Sequence, residues 1–251
     1  MENQEGLEKL FFELASGSRL GILLELQANC LRMQEIARKL NLTDTETCRQ
    51  LQRLKDALMV SKQPEGTYNI TNFGKLVLEF FPSLGFAFKY KKYFLEHDLS
   101  CIPYEFVNRL GELSSCEFYE GVLVSLNRIR QIVFGAEEFI WVIGDQVDSS
   151  HVPVTNEKVR KGLKFRFIMQ QDLAKVVEDS ENLKERKYIE RISAAVLVNE
   201  KEAFVALRGI NGIIDYSGFY STDEKFRKWC KDLFMYYWER AKKWYPGIQI
   251  E

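Results

Sequence analysis

The sequence predicts an α+β protein whose N-terminal part is mainly helical and whose C-terminal part alternates strands with helices. In the first sixty residues, apolar side chains recur at helical spacing in several short segments. Two extended runs on either side of Pro64-Glu65-Gly66 then predict a β-hairpin, because this tripeptide favours a tight turn. Beyond residue 100, apolar runs of strand length are separated by helical patterns, which is typical of an α/β or α+β domain.

Composition and charge limit the classes of function. The chain has 251 residues, of which 46% are hydrophobic and 28% are charged, as in an ordinary globular protein with room for two modest domains. Thirty-five Lys+Arg oppose 36 Asp+Glu, so the net charge of −1 argues against a protein that coats nucleic acid through a general positive charge. This balance leaves open a protein that reads DNA through one small patch.

The N-terminus and the cysteines indicate a cytoplasmic protein without metal or cofactor. No export signal is visible, and the longest apolar run, 76–88, is shorter than the ~20 residues of a membrane span. The five cysteines form no CxxC pair and only two histidines are present, so we expect no metal site and no cofactor. Cys48 is an alternative candidate for an exposed redox-sensitive thiol. Three other cysteines are interpreted as small buried apolar residues: Cys30, Cys116 and Cys230.

Four helices are predicted before the hairpin: residues 6–15, a helix capped by Ser18, Met33–Leu40, and a helix from Thr43 to about Leu58. The fourth helix begins with the capping box Thr43-Asp44-Thr45-Glu46. In such a box the Thr43 side chain accepts a hydrogen bond from the Glu46 amide, and the Glu46 carboxylate bonds back to the start of the helix. The inner face of this helix is predicted to carry Thr47, Leu51 and Leu54.

The hairpin covers residues 59–71, and a helical pattern interrupted at Pro82 follows over 72–96. Large aromatic residues dominate this pattern, so we expect a second apolar surface here that contributes to a dimer contact.

The second half is predicted to contain a helix over 111–133, strands over 139–144 and 164–169, a hairpin of 194–198 with 203–207, a strand beginning at Ile213, and a long helix over 223–244.

The order of elements before residue 75 is that of a winged helix-turn-helix, in which a capped helix enters the DNA major groove and a hairpin forms the wing. The motif covers residues 31–71: the helix Met33–Leu40, a turn at Asn41-Leu42, the helix from Thr43, and the hairpin. Here the sequence resembles the ArsR-type winged-helix transcription regulators, especially their archaeal members. The resemblance is residue by residue from Leu40 to Val60, and it extends over about residues 6–75. Two residues depart from the family pattern: Thr47 replaces an aliphatic residue and Leu58 replaces a glycine.

Polar side chains on the fourth helix give this motif candidate contacts with DNA. Arg49 can donate two hydrogen bonds to guanine and Gln52 can bond adenine in the same way. Thr43, Thr45 and Cys48 lie on the same predicted face. Three further basic residues are assigned to phosphates, which fix the register without reading sequence: Arg53, Lys55 and Lys62. The local charge of residues 49–62 is therefore positive, and we expect few phosphate contacts per subunit and a shallow salt dependence.

The alternative is that these residues form an ordinary solvated helix face, as most helix charges do. Winged helices also bind proteins, so a protein-interaction adaptor is the second interpretation. Metal sensing, which many ArsR-type relatives perform through paired cysteines, is not expected because the matching segment Leu31–Leu40 contains no cysteine.

The C-terminal half resembles the effector domain of archaeal regulators of methanogenesis and filament formation, and more distantly that of TrmB-type regulators. Three segments carry the resemblance: Val159–Ile168, Ser193–Ala203 and Phe226–Phe234. The resemblance implies a fold related to phospholipase-D-like proteins. The HxKxxxxD motif of those enzymes is absent, as are GxSxG, GxxxxGK[ST] and HExxH, so we expect no enzyme. An enzyme with an unfamiliar site is the third interpretation.

A mixture of aromatic and charged residues near predicted strand ends suits a small polar or anionic effector. These residues are Trp141, Arg166, Arg208, Asp215, Tyr216 and Tyr220. For each of them a purely structural role is at least as good an interpretation.

Together these features predict a ligand-responsive DNA-binding transcription regulator. Residues 1–75 would form the winged helix-turn-helix, 76–100 a linker and dimerisation helix, and 101–251 the effector domain. A homodimer would present two reading helices about 34–36 Å apart to double-stranded DNA with a pseudo-palindromic operator. The expected partners are thus DNA, a second copy of the chain and a small effector, without a membrane.

Overall fold

The computed structural model describes residues 2–148, 150–176 and 185–245, and it combines helices with a large β-sheet, so the α+β prediction is confirmed. The chain divides into two compact units, Met1–Phe81 (unit 1) and Pro82–Glu251 (unit 2). Across the described ranges, no helix combines the length and the apolar character that a membrane span requires.

Unit 1 packs short helices against a small antiparallel sheet. Its elements are α1 Glu2–Leu14, α2 Gly17–Ala28, β1 Leu31–Arg32, α3 Met33–Leu40, α4 Asp44–Asp56, β2 Val60–Lys62, β3 Thr67–Ile70 and α5 Asn72–Glu79. The strand order is β1-β3-β2, and both pairings are antiparallel. The core contains Ile22, Leu23, Ile36, Leu51, Leu54 and Met59. The predicted bounds of α3 and the predicted hairpin are confirmed, whereas the short strand β1 is not predicted by the sequence.

The side-chain hydrogen bonds at the N-termini of α2 and α4 differ from the prediction, and the two differences are linked. Ser16 rather than Ser18 caps α2, because its side chain accepts a hydrogen bond from the Arg19 amide at 3.4 Å. Ser18 instead donates a hydrogen bond to Glu46 Oε1 at 3.2 Å. Thr43 caps α4 as predicted, with a bond of 3.1 Å from the Glu46 amide. Only half of the predicted capping box is present, because the Glu46 carboxylate bonds to α2.

Leu58 lies just after α4 in the left-handed conformation, with a φ of +59°. Glycine adopts this conformation without the clash that a Cβ atom causes, which explains why a glycine is usual at this position in the family that the sequence resembles. The Leu58 side chain is 72% exposed and adds little to the core. The chain thus makes the same turn with an unfavourable residue.

Unit 2 is built on an eight-stranded mixed sheet. Its elements are α6 Phe81–Lys89, α7 Lys91–Glu96, α8 Tyr104–Val107, a 3-10 turn Leu110–Leu113, β4 Glu117–Tyr119, α9 Val122–Gly135, β5 Phe139–Gly144, α10 Val152–Arg160, β6 Lys164–Gln170, α11 Gln171–Val176, β7 Arg186–Ile189, β8 Ala194–Val198, β9 Ala203–Leu207, β10 Gly218–Ser221, α12 Glu224–Arg240 and β11 Lys242–Lys243. The strand order is β11-β7-β6-β5-β8-β9-β10-β4, with β5, β6 and β7 parallel and the other pairs antiparallel.

The two faces of this sheet carry different helices. Trp141 of β5 faces α12, where its ring stacks on Phe234. Residues at even positions, such as Ile140 and Val142, face a cavity that is also lined by residues of α9 and α10. This alternation follows from the two-residue period of a strand.

Four expectations for unit 2 are corrected. The predicted helix over 111–133 contains a 3-10 turn, β4 and α9, and the strand expected from Ile213 is β10 at Gly218–Ser221. Strand β7 is not predicted. The helix break after residue 72 falls at Phe80, since Pro82 lies in the first turn of α6, where a missing amide breaks no helical hydrogen bond. The helix predicted over 223–244 ends at Arg240.

The aromatic segment after the hairpin supplies core residues to unit 2. Phe86 and Tyr93 are buried, and both rings pack against Phe219 at centroid distances of 5.1 and 4.8 Å. The Tyr93 hydroxyl accepts a hydrogen bond from the Leu207 amide at 2.8 Å. Most of the rings that led to the expected dimer contact therefore have an intramolecular role, and that contact stays a prediction.

The cysteines also differ in part from the sequence interpretation. Cys230 is buried and Cys116 is half-buried, but Cys30 is exposed. Cys30 follows the end of α2, where the chain turns at the surface.

Replacing Leu58 by glycine should raise the free energy of unfolding of unit 1 or leave it unchanged. The left-handed conformation costs a leucine about 1–2 kcal/mol, and the substitution removes this cost. The gain offsets the stability that the variant loses because glycine has more conformational entropy in the unfolded state. The matched control is Leu24→Gly, at an exposed leucine inside α2. This change should lower stability by about 1 kcal/mol because glycine is a poor helix former. Urea unfolding of both variants tests the difference, and equal losses would contradict it.

Candidate nucleic-acid interface

The position of α4 is fixed at its start and along its inner face. Asn41 ends α3 in the left-handed conformation, and the Leu42 amide donates to the Ala37 carbonyl at 2.9 Å. Thr43 then caps α4. Thr47 is fully buried on the inner face, where its hydroxyl donates to the Thr43 carbonyl at 2.9 Å. The hydroxyl of this polar residue is therefore satisfied on the buried face of α4.

The opposite face of α4 is exposed and polar. Thr45, Cys48, Arg49 and Gln52 are exposed, and they border one shallow concavity together with Asp44 and Arg53. The Gln52 amide donates a hydrogen bond to Asp56 Oδ1 at 2.7 Å along the same helix. The structure therefore brings together on one face four of the residues predicted as candidate DNA contacts.

Arg53, predicted to bind phosphate, is engaged inside unit 1. Its Nε and Nη2 atoms donate to the two carboxylate oxygens of Glu13 at 3.0 and 2.5 Å. These hydrogen bonds lower the pKa of Glu13 below its ordinary value and raise that of Arg53. The Arg53 side chain is 39% exposed, so one edge of the guanidinium still faces solvent. Its main contact nevertheless joins α4 to α1.

Arg19 on α2 connects the helices α1, α2 and α4 from the interior of unit 1. The residue is only 6% exposed, and its guanidinium donates to the Phe12 and Glu13 carbonyls at 2.8 and 2.7 Å. It also donates to Gln50 Oε1 of α4 at 2.9 Å and forms an ion pair with the Glu13 carboxylate at 3.0 Å. This network was not predicted, because no local sequence pattern places residues 13, 19, 50 and 53 together.

The hairpin carries one exposed basic residue, a lysine, beside an aromatic ring. Lys62 ends β2, and its Nζ atom lies 5.7 Å from the centroid of the Tyr68 ring on β3. Lys55, on the last turn of α4, is half-buried. Both lysines belong to unit 1, as does the exposed face of α4.

The six residues predicted for an effector site do not form one site. Trp141 and Arg166 lie on the α12 face of the sheet, where the guanidinium is 5.3 Å from the indole centroid and 2.6 Å from Glu185 Oε2. Arg208 is buried, and it donates to the carbonyls of Ile192 and Gly212 and to the side chain of Gln170. These contacts give both arginines structural roles.

The other three residues each have a different polar partner. Asp215 is exposed, with Oδ1 3.3 Å from His97 Nε2. Tyr220 donates to Glu202 Oε2 at 2.6 Å, and burial raises its pKa to about 12. Tyr216 donates to Asp145 Oδ1 at 2.7 Å and alone of the six lines the cavity under α9 and α10. Tyr216 is thus the predicted effector residue that lines this cavity, and the effector site as a whole stays a prediction.

Comparisons with known proteins give distant relatives. No family model matches the chain. The methanogenesis regulatory protein FilR1 of Methanothrix harundinacea (strain 6Ac) is 21% identical over 271 residues, which covers 97% of this chain and 59% of that protein. The chain thus spans less than two thirds of this relative's length. The solved structure of TrmBL2, described as an archaeal chromatin protein with a novel mode of DNA binding, has 16% identity and a TM-score of 0.45, covering 91% of this chain and 94% of that chain. This score does not establish a shared fold.

Replacing Arg19 by methionine should lower the free energy of unfolding of unit 1 by about 2–4 kcal/mol. The change leaves two backbone carbonyls of α1 and the buried Gln50 side chain without their donor, although Glu13 keeps Arg53. The control Arg49→Met removes an exposed arginine and should stay within about 0.5 kcal/mol of the parent. Chemical denaturation measures both changes, and similar effects of the two variants would contradict the role of Arg19.

Unit 1 should also lose stability in acid through Glu13. Because the folded state holds the pKa of this carboxyl below its unfolded value, the contribution is complete above the ordinary carboxyl pKa. It disappears as the pH falls through the lowered pKa. Urea unfolding from about pH 7 to about pH 3 should therefore show a smaller acid loss for Glu13→Gln than for the parent. An unchanged pH profile would show that Glu13 is not the linked group.

Proposed function

We propose that the chain is a DNA-binding transcription regulator and that unit 1 is a winged helix-turn-helix whose α4 enters the major groove. The observation that carries the proposal is the exposed polar face of α4. The opposite face of this helix is buried, and the helix follows a tight turn from α3. Arg49 and Gln52 supply donors suited to base edges, while Thr45 and Cys48 complete the face. Lys62 on the hairpin is the candidate wing contact with phosphate.

The distant relative supports this class of function without defining it. FilR1 is named as a regulatory protein, and nearly all of the present chain aligns with part of it. The residue pattern from Leu40 to Val60, which resembles ArsR-type regulators, points in the same direction. The phospholipase-D-like relationship of unit 2 remains a prediction from resemblance.

We further propose that the regulator acts as a homodimer on a pseudo-palindromic operator and responds to a small effector bound by unit 2. The two reading helices of such a dimer would lie one DNA turn apart, at about 34–36 Å. An effector would shift the population between binding-competent and incompetent dimers in proportion to its differential affinity for them. In this proposal residues 1–75 are the reader and 101–251 the effector domain. The segment 76–100, predicted as a linker and dimerisation helix, also supplies Phe86 and Tyr93 to the core of unit 2.

Arg53 has a smaller role in this proposal than its predicted role as a phosphate contact. A guanidinium held by both oxygens of Glu13 fixes the helix before DNA arrives and offers phosphate only its remaining exposed edge. Arg49 and Lys62 are therefore the residues whose removal should affect DNA most directly.

Arg49→Ala should weaken binding to the specific operator by about 1–3 kcal/mol, roughly 5- to 150-fold, with little change on unrelated DNA. The control Arg240→Ala removes the same charge from an exposed position of unit 2. Electrophoretic shifts on DNA from the protein's own promoter region measure both. If neither the parent nor the control binds DNA, the adaptor interpretation replaces the present one; if Arg49→Ala binds like the parent, Arg49 is not the reader.

Lys62→Ala should weaken binding to all DNA sequences about equally, because phosphate contacts carry no sequence information. The slope of log K against log salt concentration should fall in magnitude by about 1. Fluorescence anisotropy with a specific and a scrambled duplex at several salt concentrations tests this. A loss of affinity confined to the specific duplex would instead indicate that Lys62 contacts a base edge.

A further inference from the structure

Unit 2 contains a cavity of about 510 Å³ between one face of its sheet and the helices α9 and α10. This volume falls in the range of roughly 300–1,000 Å³ that is typical of small-molecule sites. The loop 145–148, which follows the carboxyl end of β5, forms part of its border, and Val147 of this loop is 42% exposed. The cavity therefore reaches solvent beside this loop, at the end of the strands where ligands of parallel sheets commonly bind.

Two small residues on neighbouring strands form the floor of the cavity. Gly144 of β5 and Ala195 of β8 both line it, and they lie one step beyond the paired residues Ile143 and Val196. A Cβ atom on Gly144 would lie 3.5 Å from its nearest neighbour, which is an ordinary contact. A larger side chain would therefore extend into the cavity, and the glycine keeps that space open.

Most of the remaining wall is apolar. Phe165 and Phe167 of β6 and Phe204 of β9 line the cavity from the sheet, and Leu126 and Ile129 line it from α9. Aliphatic and aromatic groups of this kind stabilise a ligand by removing hydrophobic surface from water, and the gain grows with the apolar area that is buried.

The charged side chains at the wall are engaged within the protein. Arg186 of β7 is 4% exposed, and its guanidinium packs 5.0 Å from the centroid of the Trp244 ring. Asp148 Oδ1 accepts a hydrogen bond from the Ser150 amide at 2.9 Å, and Oδ2 lies 3.9 Å from Arg130. We therefore assign neither of these charges to a ligand.

Two further titratable side chains of the wall are neutral. Burial lowers the pKa of His151, whose Nε2 atom lies 3.3 Å from Asp148 Oδ2. The Tyr216 hydroxyl donates a hydrogen bond to Asp145 Oδ1 at 2.7 Å, and burial raises its pKa. A charged ligand would therefore lose its hydration in this cavity without gaining an ionic partner from the described residues that line it.

We propose that this cavity binds an uncharged, mainly apolar small molecule, whose aliphatic or aromatic body lies over Gly144 and Ala195 and against α9. The affinity comes from burial of apolar surface rather than from an ion pair. This ligand differs in chemistry from the polar or anionic effector that the sequence suggested, because the charges near the cavity already have partners. Binding is independent of DNA; that it regulates the protein rests on the function proposed above.

Competition against the uncharged apolar dye N-phenyl-1-naphthylamine, whose fluorescence rises in apolar surroundings, tests the ligand class on the full chain. The competitors decanol, decanoate and decylammonium share one alkyl chain and differ in charge, and all are used below their micellar range. We expect saturable one-site binding of the dye. Decanol should displace it at concentrations at least about tenfold lower than either ion, since only the ions lose a charged group's hydration.

Variants that fill the cavity test its location. Leu126→Trp should weaken dye and decanol at least about tenfold, because the larger ring takes the place of the ligand. The matched control Leu123→Trp, at a 79% exposed position of the same helix, should bind like the parent. Gly144→Val fills the cavity from its floor and should weaken both ligands as Leu126→Trp does.

Circular dichroism and the melting temperature show which variants fold. If Leu126→Trp does not, Gly144→Val replaces it, and the order of the three competitors on the parent is decisive without any variant. Absence of dye and decanol binding by the parent, tighter binding of either ion than of decanol, or equal losses in Leu126→Trp and Leu123→Trp would overturn the proposal.

DNA binding is measured separately on the same preparations, so that the two proposals can fail independently. Decanol binding without DNA binding contradicts the regulator and supports this site. DNA binding without decanol binding contradicts only this site.

Discussion

The buried guanidinium of Arg19 is the constraint on which the position of α4 depends. A buried charge is tolerated only when its donors are satisfied, and Arg19 satisfies them with two carbonyls of α1, the Glu13 carboxylate and Gln50 of α4. Glu13 in turn holds Arg53. The three helices must therefore keep one arrangement, and the outer face of α4 is presented on a rigid support rather than by a loose hydrophobic contact.

This rigidity matters for the proposed reading of DNA. Base contacts need side chains placed to within a fraction of an ångström, so a helix fixed on its inner side loses less conformational entropy on binding. The polar residues of α4 have different roles. Gln50 and Arg53 stabilise unit 1, Thr43 caps the helix, and Arg49, Thr45, Cys48 and Gln52 are left on the exposed side.

Local patterns predicted local structure well. The spacing of apolar residues gave α3 without error, and Pro64-Glu65-Gly66 identified the hairpin, because neighbouring residues alone determine both. Leu58 departs from the family pattern, and its left-handed backbone shows why glycine would be favoured at this position. Long-range relations were missed: strand β7 reads as a polar segment, and the Arg19 network joins residues up to 40 positions apart. The expected effector residues do not all lie together for the same reason, since Trp141 and Arg166 contact α12 whereas Tyr216 lines the cavity on the other face of the sheet.

The central proposal is that α4 reads DNA as part of a symmetric dimer. Selection of bound sequences from a random double-stranded DNA pool by the full chain tests this most directly. We expect an enriched inverted repeat whose half-sites are about 10–10.5 base pairs apart, centre to centre. A pool that shows no enrichment after repeated rounds would contradict it.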